Sequence, residues 1–223
     1  MKNETKKLNV HRLTFSAVML ALATCLALIC SLLPLSLPYG GGFTIASMLP
    51  IVLVSYIYGV KWGFFTSFTY AVIQMILDLI RGRSSTIIAF FLPDSDFAIY
   101  AGIIICLLDY VLAYSILGIG GIFRKKSKSK GLALTLGTVI ALSARYIIHI
   151  ISGYIFYGAY AEWFFSESFF TSLGSKILSV LDGQVLAFVY SVIYNGLYMI
   201  PEIVITAVAA VLISRLPQVK PVE

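Results

Sequence analysis

Apolar residues run almost unbroken through residues 13–33, 44–60, 63–80, 99–122, 132–157 and 184–213, and this pattern decides most of what the chain can become. A bilayer's hydrocarbon core takes roughly 20 helical residues, and backbone inside it must satisfy its own hydrogen bonds, which a helix does within one segment. The pattern predicts an all-α integral membrane protein, a six-transmembrane-helix bundle. Composition agrees: 60% of residues are hydrophobic, 12% are charged and mean hydropathy is +0.96, which would leave a water-soluble domain with large exposed apolar patches. Six such helices use up the 223 residues, so residues 1–223 are expected to form a single transmembrane domain.

The net charge of +6 does not point to nucleic acid, because the basic residues sit in short runs beside apolar segments. With the N-terminus inside, the inner connections hold Lys2, Lys6, Lys7, Arg12, Lys61, Arg124, Lys125, Lys126, Lys128, Lys130, Arg215 and Lys220. The outer ones hold only Arg81, Arg83 and Lys176, and Arg145 falls inside a helix. Positive charge collects on the cytoplasmic side, so both termini are expected in the cytoplasm of a multi-pass cell-membrane protein. Cys25, Cys30 and Cys106 lie in apolar runs without metal-ligand spacing and read as small core residues; no metal or cofactor is expected. The first apolar run is long for a signal peptide and lacks an A-x-A cleavage site, so it is read as the first helix.

Two outer connections stand out. Residues 34–43 form an uncharged loop rich in Pro and Gly, suited to fold over a bundle mouth as a lid. Residues 158–183 carry Trp163, Phe164, Phe165, Phe169 and Phe170, a cluster read as a short interfacial helix in preference to a cover over a ligand. Between the second and third segments, Gly59 and Gly63 mark a turn in which Trp62 suits the interface.

Polar side chains are expensive in lipid, so each one calls for a partner, a cavity or a function. At a rise of 1.5 Å per residue, Gln74 and Tyr190 lie about 9 Å below the outer helix ends, His149 about 12 Å, Asp109 about 15 Å and Asn195 about 16 Å. Four helices therefore bring polar groups to one outer half of the membrane. On the fifth helix Arg145, His149, Gly153 and Tyr157 recur every four residues, with Gly153 opening space beside the imidazole. On the sixth, Ser191, Asn195, Tyr198 and Glu202 do the same, flanked by Tyr190 and Tyr194.

These positions predict a pocket open to the outside. A buried carboxylate among aromatic faces suits a flat, cationic heterocycle, while His149, Tyr190 and Asn195 offer directional hydrogen bonds to ring nitrogens. Structural readings stand beside this one: Asp109 as the salt-bridge partner of Arg145, His149 as a helix contact, and Glu202 as an acceptor for Arg145 or the manager of a kink at Pro201.

At these residues the chain resembles the ThiT (YuaJ) family, the thiamine-binding S components of energy-coupling factor (ECF) transporters. The resemblance is carried by Pro38-Tyr39-Gly40-Gly41-Gly42 with Met48-Leu49-Pro50-Ile51, and by Leu108-Asp109-Tyr110 with Gly118-Ile119-Gly120-Gly121-Ile122-Phe123. Arg145-Tyr146-x-x-His149-x-x-Ser152-Gly153 and Tyr190-Ser191-x-x-Tyr194-Asn195 complete it. It implies a bundle that binds thiamine from outside through Asp109, Tyr110, His149, Gly153, Tyr157, Tyr190 and Asn195, with Tyr157 where the family has Trp. Some members place a Trp in the first outer loop; Gly41 or Gly42 stands there instead, with Tyr39 or Phe43 as substitutes.

The resemblance also implies partners: an ECF coupling subunit and two ATPase subunits. Consistently, no G-x-x-x-x-G-K-[ST] occurs in the chain. Ala17 and Ala21, four apart on the first helix, are the small residues that would let a coupling-subunit helix approach, the structural alternative being packing within the bundle. An S component for a thiamine precursor or another vitamin is the nearest alternative. An intramembrane enzyme using Asp109 and His149 is a further one, and it lacks a second carboxylate, a metal cluster and a nucleophile.

Overall fold

The structure, a computed structural model, describes residues 2–33, 37, 41–42, 44–82, 85–93, 95–127, 129–167 and 171–222, without the side chains of 2–8 and 171. The expected lid residues Tyr39 and Phe43, together with Phe169 and Phe170, lie outside the described residues. Every regular element among the described residues is helical. Helix α1 spans Lys2–Ser31, α2 Leu49–Tyr58, α3 Val60–Ile80, α4 Thr86–Ala89 and α5 Ile99–Cys106. After α5 the chain widens into a π-helical segment, Leu107–Leu112, returns to α6, Ala113–Ser115, and tightens into a 3-10 segment, Ile116–Gly121. Helix α7 spans Lys130–Phe156, α8 Ala161–Ser166, α9 Thr171–Val180 and α10 Gly183–Ile213.

Among the described residues, five stretches are long and apolar enough to cross a membrane: Asn9–Ser31, Val60–Ile80, Ile99–Gly121, Lys130–Phe156 and Gly183–Ile213. The segment expected over 44–60 is a helix only from Leu49 to Tyr58. Its limits are local. Pro50 occupies the first turn, where its missing N–H costs nothing, Ala46 holds φ of 55°, and Gly59 ends the helix at φ of 97°. At about 15 Å this helix falls short of the hydrocarbon thickness. It is instead enclosed, with nine of its residues buried among its neighbours.

The 3-10 segment packs where glycine alone fits. A Cβ on Gly118 would stand 2.6 Å from the backbone of Phe64 on α3, and one on Gly121 would collide with Ser55 of α2. Ser55 locks the contact by donating to Gly118 O at 2.5 Å and accepting from Gly121 N at 2.9 Å. On the other side α7 and α10 run together, joined by Tyr146 Oη to Val192 O at 2.6 Å and Ser191 Oγ to Ile150 O at 2.7 Å.

One end of the bundle is tied by basic and aromatic groups. Arg124 donates to Tyr56 O at 3.1 Å, to Ile57 O at 2.9 Å and to Val222 O, while Val222 N donates to Ile57 O at 2.8 Å. Beside them Arg12 lies 4.1 Å above the Trp62 ring, whose Nε1 donates to Ser16 Oγ at 2.8 Å. The first half of α1, the α2–α3 turn, Arg124 and the tail thus share one end. Cys30 and Cys106 are buried, but Cys25 is on the exposed face of α1 and is not a core residue.

Candidate functional site

At the opposite end the helices part around a cavity of about 580 Å³, within the range of small-molecule sites. All seven side chains or glycines expected to bind a ligand line it: Asp109, Tyr110, His149, Gly153, Tyr157, Tyr190 and Asn195. Gln74, Asp78, Tyr114, Arg145, Tyr194 and Tyr198 line it as well.

Asp109 and Tyr110 reach the cavity from the π-helical segment, where an extra residue per turn shifts the register of the helix face. Asp109 is held from two sides. Its Oδ1 stands 2.9 Å from His149 Nδ1, and its Oδ2 accepts from Ser152 Oγ at 2.8 Å. The side chains of His149 and Asp109 are 8% and 20% exposed, so the carboxylate keeps an open edge toward the cavity while the imidazole is enclosed.

Arg145 does not pair with Asp109. Its Nε donates to His149 Nε2 at 3.1 Å, its guanidinium carbon lies 4.0 Å over the Tyr114 ring, and its Nη1 points at Met48 Sδ. One turn of α7 separates Arg145 from His149, so the arginine meets the imidazole before it can reach the acid. Glu202 likewise has other partners: it accepts from Thr44 N, from Thr44 Oγ1 at 2.8 Å and from Thr206 Oγ1 at 3.2 Å. It ties the start of the described segment before α2 to α10.

Asn195 is fixed by donating to His149 O at 3.2 Å and Ser191 O at 2.8 Å, and it accepts from Tyr198 Oη at 2.6 Å. The Tyr198 ring meets the imidazole edge-on, with centroids 5.9 Å apart, and faces the loop residue Gly41, where a Cβ would stand 2.8 Å from it. Gly153 works differently from expectation. A Cβ there would press into Ser191 and stand 2.9 Å from Asn195 Nδ2, so the glycine brings α10 close and does not open space beside His149.

The outer connections build the aromatic wall. Tyr157 ends α7 and meets Phe97 at 5.3 Å between centroids, while Tyr160 Oη donates to Asp96 Oδ2 at 2.6 Å and joins two connections. Phe164 and Phe165 of α8 are buried, and Phe164 packs at 5.3 Å from Tyr190 and 5.5 Å from Tyr194. Among the described members of the aromatic cluster, Phe164 and Phe165 therefore turn inward to back the cavity wall, while Trp163 is 37% exposed. Sequence alone places Tyr198 on the polar face of the sixth helix, as suited to packing as to a ligand, and does not single out Tyr114 or Thr44; Tyr114 sits at helical spacing from Tyr110, which is a signal, whereas Thr44 carries none.

Ala17 and Ala21 lie on the exposed side of α1 with Val18 and Leu22, whereas Ala23 is fully buried. Packing within this bundle does not account for the first pair.

Comparison with known proteins gives a consistent set. The sequence model of the family described as Thiamine transporter protein (Thia_YuaJ) matches residues 13–173. The thiamine transporter ThiT of Bacillus subtilis (strain 168) is 29% identical over 220 residues, covering 95% of this chain and 93% of the relative. The solved structure of ThiT from Listeria monocytogenes superposes with a TM-score of 0.61 at 20% identity, over 95% of this chain and 97% of that one.

Proposed function

The chain belongs to the thiamine transporter protein family (Thia_YuaJ), and from that premise we propose that it is the substrate-binding S component of an ECF-type vitamin importer, taking thiamine from the extracellular side. The observation that carries the reading is the shared cavity: one carboxylate with an open edge, an imidazole, an amide and several tyrosines surround a space sized for one small heterocycle. Thiamine is a permanent thiazolium cation joined to an aminopyrimidine. Asp109 would balance the charge, Tyr157 and Tyr190 would offer ring faces, and His149 and Asn195 would fix the pyrimidine orientation.

The topology proposed with it has six crossings, the short α2 counted as one, and both termini in the cytoplasm. Arg12, Lys61, Arg124 and Arg215 would then lie inside, with Arg81 and Lys176 outside. The shared end of α1, the α2–α3 turn and the tail supports an even number of crossings. Work from ATP would come from two ATPase subunits through a coupling subunit docked on Ala17 and Ala21, since small residues admit close helix approach in lipid.

The test is calorimetric titration of detergent-purified chain with thiamine, with the free pyrimidine precursor, and with riboflavin as an unrelated vitamin. Saturable binding of thiamine in preference to both is expected. Stronger binding of the precursor would reassign the substrate, and ATP-dependent uptake by vesicles holding this chain alone would overturn the receptor role.

A further inference from the structure

The chain formed by Asp109, His149 and Arg145 fixes where the proton sits on the imidazole. Arginine is a permanent cation with donors and no acceptor. Its Nε–H faces His149 Nε2 at 3.1 Å, so that nitrogen must present its lone pair. The single ring proton is then on Nδ1, which stands 2.9 Å from Asp109 Oδ1 and donates to it. An imidazolium would set two N–H donors against each other at Nε2. Arg145 cannot turn aside easily: it is 6% exposed, stacked on Tyr114 and directed at Met48.

We propose that Arg145 is a positioning residue that keeps His149 neutral, so that the negative charge of Asp109 is left for a cationic ligand. The inference rests on the thiamine reading for the identity of the cation, but its account of the imidazole does not. Beside a carboxylate, a histidine whose Nε2 faced no donor could take a second proton and pair with the acid, even though burial opposes the added charge. The guanidinium prevents this while holding its own charge beyond the imidazole, on the side away from the acid. The other titratable groups around the trio are Cys106 at the end of α5, Tyr110 and Tyr114 on the span that follows it, Tyr70 on α3, Tyr157 at the end of α7, and Tyr198 and Glu202 on α10. Of these Glu202 is occupied by Thr44 and Thr206, and Tyr198 donates to Asn195, so neither supplies or removes the ring proton.

The experiment is nitrogen-15 NMR of the imidazole in ligand-free protein carrying His11→Gln, since the chain has 2 histidines. In the otherwise parental protein the ring should stay neutral with its proton on Nδ1 from about pH 8 to about pH 5. With Arg145→Met added, it should become doubly protonated across that range. The ratio of affinities for thiamine and for a neutral analogue with the same pyrimidine should be flat with pH in the parent. In Arg145→Met it should fall toward acid, by up to roughly tenfold per pH unit below the ring's midpoint. A proton on Nε2 or ring titration in the parental protein would overturn the proposal, and this readout stands even where Arg145→Met does not fold. So would an Arg145→Met ring that stays neutral with an unchanged ratio. If parental protein bound no thiamine, the substrate reading would fall while the NMR result still decided the role of Arg145.

Discussion

His149 Nδ1 and Asp109 Oδ1 stand 2.9 Å apart although 40 positions separate them in the chain. The pair joins the π-helical segment to α7 at the wall of the cavity, and Ser152 holds the second carboxylate oxygen at 2.8 Å. Two neutral donors orient the acid without discharging it. Such an acid is suited to a ligand that brings its own positive charge.

The first prediction follows for Asp109→Asn. Removing one partner of a hydrogen-bonded buried charge pair costs about 2–5 kcal/mol, or roughly 30- to 4000-fold in affinity. Calorimetry should show thiamine binding weakened by at least about 30-fold, with a smaller loss for a neutral analogue bearing the same pyrimidine. Equal losses for both ligands would mean that the acid serves the scaffold alone.

A second prediction concerns the contact of α7 with α10. A methyl group at Gly153 must displace Ser191 and Asn195, and the latter also binds His149 O and Tyr198. Overpacking of this kind costs about 1–3 kcal/mol. Gly153→Ala should lower the thermal midpoint and weaken ligand binding together, and adding Ser191→Ala should recover part of both by removing the nearest atom. An Ala variant with parental melting and binding would show that the helices separate freely here.

Much of this site was legible because lipid makes polar residues conspicuous. Asp109, His149, Tyr190 and Asn195 stand out by depth alone, and the four-residue recurrence puts Arg145, His149, Gly153 and Tyr157 on one face of the fifth helix, all four of which line the cavity. What the chain's pattern did not reveal depends on contacts between distant segments. Arg145 was equally compatible with Asp109 by depth, and only the side-chain geometry gives it to His149. Gly153 read as empty space because periodicity says which face a residue occupies and not which neighbour fills it. The inward turn of Phe164 depends on α8 folding back over Tyr190 and Tyr194, which an aromatic-rich composition shares with a helix lying on the membrane surface. The bounds of the Ile99–Gly121 span, of α7 and of α10 agree with the hydropathy pattern to within a few residues, whereas α2 is shorter because Pro50 and Gly59 bound it more tightly than its hydropathy.

The third prediction addresses α1. Ala17 and Ala21 are exposed, so bulky substitution there has room within the bundle. Ala17→Trp with Ala21→Trp should leave thiamine binding by the isolated chain unchanged, while co-purification with the coupling subunit and uptake by cells are lost. If binding fell along with assembly, the face would belong to the fold of this chain and not to docking.

The last prediction concerns Glu202, which is 1% exposed and far from Thr44 in sequence, yet accepts from both the backbone N–H and the hydroxyl of that residue. Thr44 lines the cavity and its hydroxyl also stands 2.6 Å from Ser47 Oγ, so this acid fastens the turn entering α2 to the middle of α10. Losing it would strand a half-buried N–H, at up to about 1–3 kcal/mol. Glu202→Ala should therefore lower the stability of ligand-free protein by that order, measured by denaturant titration in mixed micelles. Thr44→Val removes only the hydroxyl. The double variant should then be less destabilised than the two single losses added together, with a coupling of about 0.5–3 kcal/mol as found for residues in one network. Simple additivity would show that the Thr44 hydroxyl is not coupled to Glu202, leaving the backbone N–H of Thr44 as the tie between this acid and the entry to α2.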